Sequence, residues 1–268
     1  MTGLVAHALA FAPGTPRRIE GVNLGVAPGE LHVLLGPNGA GKSTLLGLLA
    51  GDLHPARGEV VLDGRSLADW PPMALARRRA VMMQRESLPF PFTVREVVGL
   101  GRLPWQRDDA SPAEQRKVML ALEQAGAAAL ADRRYPALSG GERARVQLAR
   151  ALVQIAADDA GDQDPTGRYL LLDEPTASLD FAFQHHSLIT MRRLADRGVG
   201  VLAILQDPNL ALRHADVVSL LDRGRLVASG PPADVLDAER LSAVYGLPIE
   251  ALSRPDGSLA QLIAGSER

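Results

Sequence analysis

The stretch GPNGAGKST, residues 36–44, decides the fold of this chain. One apolar run, LHVLL (31–35), precedes it and another, LLGLLA (45–50), follows it, so the sequence predicts a strand, a glycine-rich loop and a helix. The spacing of its glycines, lysine and serine is that of a phosphate-binding loop, in which bare backbone N–H groups close around phosphate oxygens. A chance match in an ordinary glycine-rich turn is the alternative, and the flanking strand and helix argue against it.

The loop supplies most of the predicted contacts to a nucleotide. Lys42 is expected to reach the β- and γ-phosphates of a nucleotide, and the hydroxyl of Ser43 is expected to bind Mg²⁺. The other predicted nucleotide-binding residues of the loop are Gly36, Asn38, Gly39, Gly41 and Thr44. The sequence therefore predicts a bound nucleotide with Mg²⁺.

A pair of carboxylates ends another apolar run, YLLLDEP (169–175). A short and almost entirely apolar strand is typical of a parallel sheet that is covered on both faces, and ligands bind at the carboxyl ends of such strands. Asp173 is therefore expected to hold Mg²⁺, and Glu174 is expected to accept a proton from an attacking water. Two acids in a solvated turn are the alternative.

Size and composition are those of an ordinary globular protein. The chain has 268 residues, of which 46% are hydrophobic and 22% charged, and its net charge of −2 gives no electrostatic reason to expect a nucleic-acid partner. It has no cysteine, which excludes disulfides and thiolate metal sites. No apolar run approaches the ~20 residues that span a bilayer, and the N-terminus lacks the pattern of a secretory signal, so a function at a membrane would need a partner.

Alternating strands and helices surround a helical middle part. Short apolar runs with turn residues predict mostly strands up to about residue 84, and the rhythm of strands and helices returns after 168. Between them, apolar residues at a spacing of three to four predict helices, one of which opens with a capping box at Ser111–Glu114. Residues 158–168 are polar and rich in glycine and proline, so we expect an exposed loop. The tail from about Leu252 is expected to be weakly structured.

Four motifs in a fixed order carry a family resemblance: GPNGAGKST (36–44), LSGGE (138–142), LLLDEP (170–175) and ASLD (177–180). Together they resemble the nucleotide-binding subunit of ATP-binding-cassette (ABC) transporters, over nearly the whole chain. The resemblance implies an α/β P-loop NTPase with a RecA-like core, an N-terminal antiparallel β-subdomain and an inserted helical subdomain. It also implies an enzyme, an ATPase whose hydrolysis is coupled to substrate translocation.

The resemblance also implies how the chain is divided. A single ABC ATPase domain would cover residues 1–268, with residues 1–84 and 158–268 forming the β-subdomain and the RecA-like core. Residues 85–157 would form the helical subdomain that carries the LSGGE motif. The change to helical periodicity near residue 85 and the polar stretch from residue 158 mark these expected boundaries.

The LSGGE motif explains why one chain would carry a second site for phosphate. In the family, two subunits meet head to tail, and each ATP lies on the P-loop of one subunit and under the signature motif of the other. The resemblance therefore implies a second copy of this chain as a partner, with Ser139, Gly140 and Gly141 on the γ-phosphate of ATP held by the partner's Lys42. A helix start with bare glycine backbone suits an anion. An ordinary serine N-cap is the alternative.

Three further positions are assigned by the resemblance. Gln84 matches the family's glutamine that contacts Mg²⁺ or the attacking water, with an ordinary polar strand end as the alternative. Asp180 matches the loop that crosses the dimer interface, and an N-cap for the following helix is compatible with that role. Phe11 lies where the family places an aromatic ring against adenine, and a core-facing strand residue is the alternative.

One position departs from the family pattern. Where the family usually has a histidine that senses the γ-phosphate, this chain has Gln206, which can donate a hydrogen bond to phosphate but cannot become cationic. We expect the contact to persist in altered form, and we expect hydrolysis because Glu174 remains. His214 is expected at a helix surface rather than as a displaced switch, and the adjacent His185 and His186 are expected at the surface rather than as metal ligands.

The segment Arg85–Trp105 indicates the class of transporter. It resembles the same region in importers of iron chelates and cobalamin, and it is most similar to that of the haem importers. The resemblance implies haem (hemin) import across the cytoplasmic membrane, with a ferric siderophore or cobalamin as the alternative cargo. Leu88, Phe90 and Phe92 are expected to be exposed for docking of a membrane subunit, with internal packing as the alternative.

The implied partners are polytopic membrane permease subunits and, indirectly, a substrate-binding protein. The chain itself would be peripheral, on the cytoplasmic face of the bacterial inner membrane. A soluble ABC protein of translation or DNA repair is an alternative of a different class, although such chains usually carry two cassettes or a long coiled-coil insertion. A third hypothesis is an ATP-gated binding module that closes without useful hydrolysis, and Gln206 is its only support.

Overall fold

The computed structural model describes residues 3–12, 15, 18–83, 91–105, 111–156 and 167–265. The strands are β1 (Leu4–Phe11), β2 (Ile19–Val26), β3 (Leu31–Leu35), β4 (Arg57–Leu62), β5 (Arg65–Ser66), β6 (Arg79–Met82), β7 (Tyr169–Asp173), β8 (Gly200–Ile204), β9 (Val217–Asp222), β10 (Arg225–Gly230), β11 (Ile249–Ser253) and β12 (Leu259–Ala264). The α-helices are α1 (Lys42–Ala50), α2 (Pro72–Arg78), α3 (Val94–Gly99), α4 (Pro112–Gln124), α5 (Gly140–Ile155), α6 (Phe181–Asp196), α7 (Pro208–His214), α8 (Pro232–Val235) and α9 (Ala238–Tyr245).

A six-stranded sheet lies at the centre of the fold. Its order is β10-β9-β3-β8-β7-β6, in which the neighbours from β9 to β6 run parallel and β10 is antiparallel to β9. Every residue of β3, β7 and β8 is buried, as expected when both faces of a parallel sheet are covered. Parallel pairing brings the carboxyl ends of these strands to one edge of the sheet, where the loops that follow them meet.

Two hydrophobic cores lie on opposite faces of this sheet, because successive side chains of a strand point to opposite sides. On β3, Val33 and Leu35 belong to the larger core, whereas Leu34 belongs to the smaller one. The larger core continues into α5 and α6, and the smaller core is shared with α1 and with β1, β2 and β4. The glycine-rich loop after β3 therefore starts from a strand that is fixed on both sides.

The N-terminal strands form a separate antiparallel sheet of order β2-β1-β4-β5. Residues of β1 and β2 alternate between buried and more exposed positions over parts of both strands, which is the pattern of a sheet with one face on a core. The predicted fold class, α/β with an antiparallel β-sheet beside a parallel core, is therefore confirmed.

The middle of the described chain is helical, as predicted. Helices α3, α4 and α5 pack against one another, and α5 also packs against β6 and β7. Thr93 and Ser139 open α3 and α5 with capping boxes, in which a glutamate three residues later returns a bond to the capping residue. The predicted boundaries of a helical subdomain at 85 and 157 fall outside the described residues, so that division stays a prediction. Within the described ranges, we find no helix whose length and apolar content would suffice to span a bilayer.

A buried cluster of charge holds the C-terminal end of α5. Arg102 is 1% exposed and donates hydrogen bonds to Glu114 Oε2 at 2.6 Å and to the carbonyl of Val153 at 3.0 Å. The indole of Trp105 donates to the carbonyl of Gln154 at 2.9 Å, and the guanidinium of Arg102 lies 4.9 Å from its ring. Cationic groups at the last carbonyls of a helix stabilise its end, so this cluster fixes α5 from the C-terminal side.

Two details of the sequence analysis are wrong in this cluster. Arg168, the last residue of the predicted exposed loop, is fully buried, and it donates to the carbonyl of Ile155 at 2.9 Å. Ser111 caps α4 as predicted, but the Glu114 carboxylate binds Arg102 and Lys117, where charge-assisted bonds are stronger than a bond to a backbone amide. The rest of the predicted loop up to residue 166 lies outside the described residues.

The C-terminal tail is also more ordered than predicted. Strands β11 and β12 form an antiparallel hairpin in place of a weakly structured segment after Leu252. Most of the hairpin is exposed, but Leu262 of β12 is 5% exposed and joins the larger core. An isolated two-stranded hairpin is marginal in water, so its contacts with the body of the protein keep it in place.

Removal of the buried charge at Glu114 tests the cluster at the end of α5. We expect Glu114→Gln to lower the free energy of unfolding by about 3 kcal/mol at neutral pH, because Arg102 would remain buried without its anion. Burial acts to raise the pKa of Glu114, but hydrogen bonds from Arg102 and Lys117 hold it below its ordinary value. The difference from wild type should therefore vanish as the pH falls through this lowered pKa.

The control is Asp132→Asn, which removes the partner of Arg95 from an ion pair whose side chains are 86% and 43% exposed. It should change the free energy of unfolding by less than about 1 kcal/mol. Urea denaturation of both variants from acid to neutral pH makes the comparison. An effect of Glu114→Gln as small as that of the control would contradict the assignment of the cluster as a fixed support for α5.

Candidate functional site

The candidate site lies at the carboxyl edge of the large sheet. The glycine-rich loop follows β3, Gln206 follows β8, and Asp173 ends β7, and these three strands are direct neighbours. In the pairing of β7 with β8, Asp173 is opposite Ile204, so the residues that follow both strands project from the same place. Residues that lie far apart in the sequence are thereby brought together by strand pairing alone.

Glycines shape the loop at positions where a side chain would not fit. Gly36 has a φ of +149°, and a Cβ added to it would lie 2.1 Å from the carbonyl oxygen of Leu221. Gly41 has a φ of +103° and precedes α1, where a Cβ would lie 3.0 Å from Ile19. The loop thus turns from β3 into α1 with bare backbone, and Asn38 and Gly39 at its tip are exposed. This is the geometry that lets backbone N–H groups surround an anion.

Lys42, the first residue of α1, is 7% exposed and lies over its own loop. Its Nζ donates hydrogen bonds to the carbonyls of Gly36 at 2.7 Å and Pro37 at 3.0 Å. Burial lowers the pKa of Lys42, and the charges of Glu174 and Asp173 oppose this shift. A cation is therefore held at the mouth of the loop, within reach of two carboxylates.

Ser43 and Asp173 form the second part of the site. The Ser43 side chain is exposed and hydrogen-bonds Asp173, which is 3% exposed, whereas Thr44 is half-buried. Burial raises the pKa of Asp173, the bond from Ser43 lowers it, Glu174 raises it again and Lys42 lowers it. A hydroxyl and a carboxylate in contact are hard oxygen donors of the kind that Mg²⁺ prefers.

Glu174 and Gln206 are joined directly. The amide Nε2 of Gln206 donates a hydrogen bond to Glu174 Oε2 at 2.8 Å. Glu174 is half-buried and has a φ of +51°, an uncommon conformation for a residue with a side chain. The residue that departs from the family pattern therefore contacts the carboxylate that is predicted to activate water.

The signature residues present a helix start at the surface. Ser139 caps α5, accepting a bond from Glu142 N at 3.3 Å, and both Ser139 and Gly140 are exposed. A Cβ on Gly141 would lie 2.8 Å from the carbonyl oxygen of Ser178, so the signature packs closely against the loop that carries the ASLD motif. The serine N-cap that was the structural alternative is present, and it leaves the backbone of the first turn open to solvent.

The remaining predicted site residues differ in how far the structure describes them. Asp180 is the N-cap of α6 and accepts a hydrogen bond from Phe183 N at 3.0 Å. Phe11 is half-buried and packs partly against the smaller core, which favours neither the adenine contact nor the core alternative alone. Gln84 lies outside the described residues, so its predicted contact with Mg²⁺ or water stays a prediction.

The histidines are less exposed than the sequence analysis expects. His185 and His186 are half-buried; the His185 ring packs on Phe181, and His186 Nε2 lies 2.9 Å from the carbonyl of Gln124. His214 is half-buried too, and burial lowers its pKa, with His185 and Arg213 acting in the same direction. These rings are therefore partly exposed, with one side of each packed against a neighbouring residue or helix.

The predicted docking segment is described only in part. Leu88 and Phe90 lie outside the described residues. Phe92 is half-buried and packs against the larger core, so the expectation that it is exposed for docking is wrong and internal packing holds. Leu103, further along the same segment, is 58% exposed.

The sequence analysis missed the contribution of the C-terminal region to this site. Tyr245 of α9 has a buried hydroxyl near the backbone N–H of Gly36 and the carboxylate of Asp207, and it makes no hydrogen bond within the described residues. Burial raises the pKa of this phenol, so it stays a neutral group against the start of the loop. The AERLSAVYG stretch carries no motif that points to phosphate, and only tertiary packing brings it here.

Known proteins are similar to this chain over most of its length. A sequence model of the ABC transporter family matches residues 19–177. A curated relative from Bordetella pertussis, named Hemin import ATP-binding protein HmuV, is 49% identical over 254 residues, which cover 94% of this chain and 95% of the relative. A relative of the same name from Pseudomonas fluorescens is 46% identical over 265 residues, which cover 97% of this chain and 99% of the relative.

A solved structure is similar over the same length. It is described as an inward-facing conformation of an ABC transporter assigned to the metal-chelate type, and it matches with a TM-score of 0.78 at 26% identity. The match covers 99% of this chain and 98% of that chain. The similarity therefore includes the C-terminal region as well as the glycine-rich loop and the end of β7.

Alanine substitutions at two glycines of the loop separate backbone strain from steric clash. Both Gly36 and Gly39 have positive φ, but a Cβ meets a carbonyl oxygen at Gly36 and open space at Gly39. We expect Gly39→Ala to cost about 1 kcal/mol of stability and Gly36→Ala about 3 kcal/mol, since the clash is with backbone that cannot easily move. Urea denaturation measures both, and equal losses would contradict the role given to Leu221.

Proposed function

This chain belongs to the ABC transporter family, and we propose that it is the ATP-hydrolysing subunit of an importer that takes up haem. The observation that carries the hydrolysis is the contact of Glu174 with Gln206 beside Lys42 and Asp173, at the mouth of a glycine-rich loop. The relatives' names, which specify hemin import, support the choice of cargo.

ATP binds along the loop in this proposal. The backbone from Gly36 to Gly41 surrounds the β- and γ-phosphates, and Lys42 exchanges its bonds with the carbonyls of its own loop for phosphate oxygens. Because Lys42 is already buried, the exchange needs no new desolvation of the ammonium group. Thr44 and Asn38 flank the phosphates, and Phe11 lies against the adenine.

The residues around Ser43 and Asp173 fit a magnesium ion. The Ser43 hydroxyl contacts Asp173, and burial together with the charge of Glu174 acts to raise the pKa of that carboxylate, so a cation would relieve an unfavourable charge. We assign Ser43 and Asp173 as its ligands from this chain, with Gln84 as a further one. The ion supplies neutralisation of the phosphate charge when it is bound.

Glu174 acts as the general base. Its carboxylate orients a water molecule and accepts its proton as the oxygen attacks the γ-phosphorus in line with the leaving group. The bond that forms joins the water oxygen to phosphorus, and the bond that breaks joins phosphorus to the β–γ bridging oxygen. The amide of Gln206 donates a hydrogen bond to Glu174 and thereby fixes the orientation of its carboxylate. The same amide can also donate to the γ-phosphate, in place of the contact that a histidine makes in the family.

Two copies complete the site. Ser139, Gly140 and Gly141 open α5 at the surface and lie beside the loop that ends at Asp180. In a head-to-tail pair, this helix start would face the γ-phosphate of ATP held by the other copy, where its exposed N–H groups stabilise negative charge. ATP then joins the two copies, and its hydrolysis releases them.

The transport step requires membrane permease subunits, which the family implies. The chain would bind them from the cytoplasmic face of the bacterial inner membrane, with a substrate-binding protein delivering haem on the other side. The region from residue 85 to Trp105 is the proposed docking segment, and Leu103 is an exposed apolar residue within it. Closure of the ATP dimer would move the helical part and with it the docked membrane helices.

Replacement of Glu174 by glutamine tests the assignment of the base. We expect Glu174→Gln to lower the ATPase rate by about 100-fold or more, because an amide cannot accept the proton of water, while ATP still binds. In excess Mg-ATP the variant should accumulate as a closed dimer, which size-exclusion chromatography with light scattering detects.

Lys42→Ala is the matched control, because it should lose ATP binding and stay monomeric under the same conditions. A Glu174→Gln variant that remains monomeric with excess Mg-ATP, both alone and together with the membrane partner, would contradict the proposed dimer. A variant that keeps the wild-type rate would instead remove Glu174 from the role of base.

The cargo is tested by stimulation of ATP hydrolysis. The chain is purified with its membrane partner in lipid, the matching binding protein is added, and the ATPase rate is compared for empty, haem-loaded and ferric-siderophore-loaded protein. We expect the highest rate with haem, because loaded binding protein favours the closed ATP dimer.

A response to the ferric siderophore alone would support an importer with a different cargo and contradict the choice of haem. If the ATPase rate does not change with any addition and no membrane partner is recovered, the result would favour a soluble ABC protein. Equal slow turnover of wild type and Glu174→Gln would favour a binding module that closes without useful hydrolysis.

A further inference from the structure

The C-terminal unit, defined here as α9 with the β11–β12 hairpin (residues 238–264), is anchored beside the catalytic edge. The side-chain amide of Asn209 in α7 pairs with the backbone of Leu262 in β12: Nδ2 donates to the carbonyl at 3.0 Å, and the Leu262 N–H donates to Oδ1 at 2.8 Å. These two hydrogen bonds resemble those between paired residues of neighbouring strands in an antiparallel sheet. The Asn209 side chain therefore pairs with the backbone of β12 as a neighbouring strand would.

The pairing joins a firmly anchored segment, the hairpin, to a short helix that has little stability of its own. On the hairpin side, Leu262 is 5% exposed and fixed in the larger core, and the closing bond from Gly265 N to the Pro248 carbonyl at 2.8 Å ties the ends of the hairpin together. On the other side, Asn209 lies in the first turn of α7, a helix of seven residues. A short helix has little stability of its own, so a firm contact from outside determines where its first turn lies.

Gln206 depends on that first turn. Asp207 caps α7 by accepting a bond from the backbone N–H of Asn209 at 2.8 Å, and Gln206 is the residue directly before the cap. The side chain of Gln206 is exposed, so packing does not set its direction, yet its amide lies 2.8 Å from Glu174. The backbone that leads from Asn209 to Gln206 is therefore what aims the amide at the carboxylate.

We propose that Asn209 is a positioning residue for ATP hydrolysis, which fixes the first turn of α7 on the C-terminal hairpin and thereby holds Gln206 on Glu174. This inference rests on the proposed roles of Glu174 and Gln206. It gives the C-terminal hairpin a function that its sequence does not reveal, since the hairpin contributes a backbone segment to the site's support and no group to the chemistry.

A second residue of the C-terminal unit, Tyr245, also lies beside the proposed nucleotide site. Tyr245, the last residue of α9, has a buried hydroxyl that lies near the backbone N–H of Gly36 and near Asp207, without a hydrogen bond to any described residue. The unit thus lies near the start of the glycine-rich loop through Tyr245, and it contacts the first turn of α7 through Leu262, which pairs with Asn209. The glycine-rich loop after β3 and the segment between β8 and α7 are the two segments that would contact the γ-phosphate.

A double-mutant cycle on the full-length chain tests the proposal. The kcat and KM for ATP are measured for wild type, Asn209→Ala, Gln206→Ala and the double variant. We expect Asn209→Ala to lower kcat about five-fold, as the loss of a hydrogen-bonded support predicts, with KM changed less than about two-fold. In the Gln206→Ala background, Asn209→Ala should have almost no further effect, because it acts through Gln206.

The control is Asn23→Ala, which also removes a side-chain amide bonded to backbone, since Asn23 Oδ1 accepts from Ala8 N at 2.8 Å in the antiparallel sheet. It should leave kcat unchanged. Hydrogen exchange of the peptide around residues 205–210 provides a readout that does not need turnover: exchange should rise in Asn209→Ala and not in Asn23→Ala.

Each contrary outcome has its own meaning. If Gln206→Ala lowers kcat but Asn209→Ala leaves kcat and exchange unchanged, positioning by Asn209 is overturned and the role of Gln206 stands. If Asn209→Ala lowers kcat equally in both backgrounds, or raises KM alone, Asn209 does not act through Gln206. If Gln206→Ala itself has no effect on kcat, the proposed role of Gln206 fails together with this inference. No cargo enters the assay, so the choice of haem does not affect the result.

Discussion

The parallel pairing of β3, β8 and β7 is the constraint on which the rest of the molecule depends. It places the glycine-rich loop, Gln206 and the Asp173–Glu174 pair side by side, although they are separated by up to about 170 positions in the sequence. A shift of one residue in the β7–β8 register would send these side chains to the wrong face. The two hydrophobic cores, one on each face of the sheet, hold the register because alternate residues of every central strand are committed to one core or the other.

The site concentrates charge and strain that the cores must support. Lys42 is a buried cation near two carboxylates, and Glu174 has a left-handed backbone conformation, with a positive φ, that glycine adopts more readily. Such features lower stability and persist where the surrounding structure fixes them, which is common at sites that bind or transform charged ligands. Here the fully buried strands β3 and β7 provide that support, and a triphosphate with its cation would balance the charges.

Both ends of α5 have a function in the proposed mechanism. Its start, at Ser139, is open to solvent for a phosphate of the second copy, whereas its end is held by Arg102 and Arg168 inside the protein. Arg102 and Trp105 belong to the segment proposed to dock the membrane subunits. A movement of docked membrane helices would therefore be transmitted to the signature motif through hydrogen-bonded contacts with the end of α5. Such a rigid connection suits a helix that couples two sites.

The sequence by itself determined the local chemistry. The glycine-rich loop, the carboxylates that end β7 and the signature are contiguous motifs, and each needs its residue types at a fixed spacing whatever surrounds it. Apolar periodicity likewise predicted most helices and strands, because it reports the face that each element buries. Tertiary structure alone decided what depends on distant partners: the burial of Arg168, the packing of Phe92 and the pairing of Asn209 with Leu262. In each of these cases the partner lies elsewhere in the chain, so no local pattern could predict the contact. The tail hairpin pairs locally, and only its attachment through Leu262 depends on a distant segment.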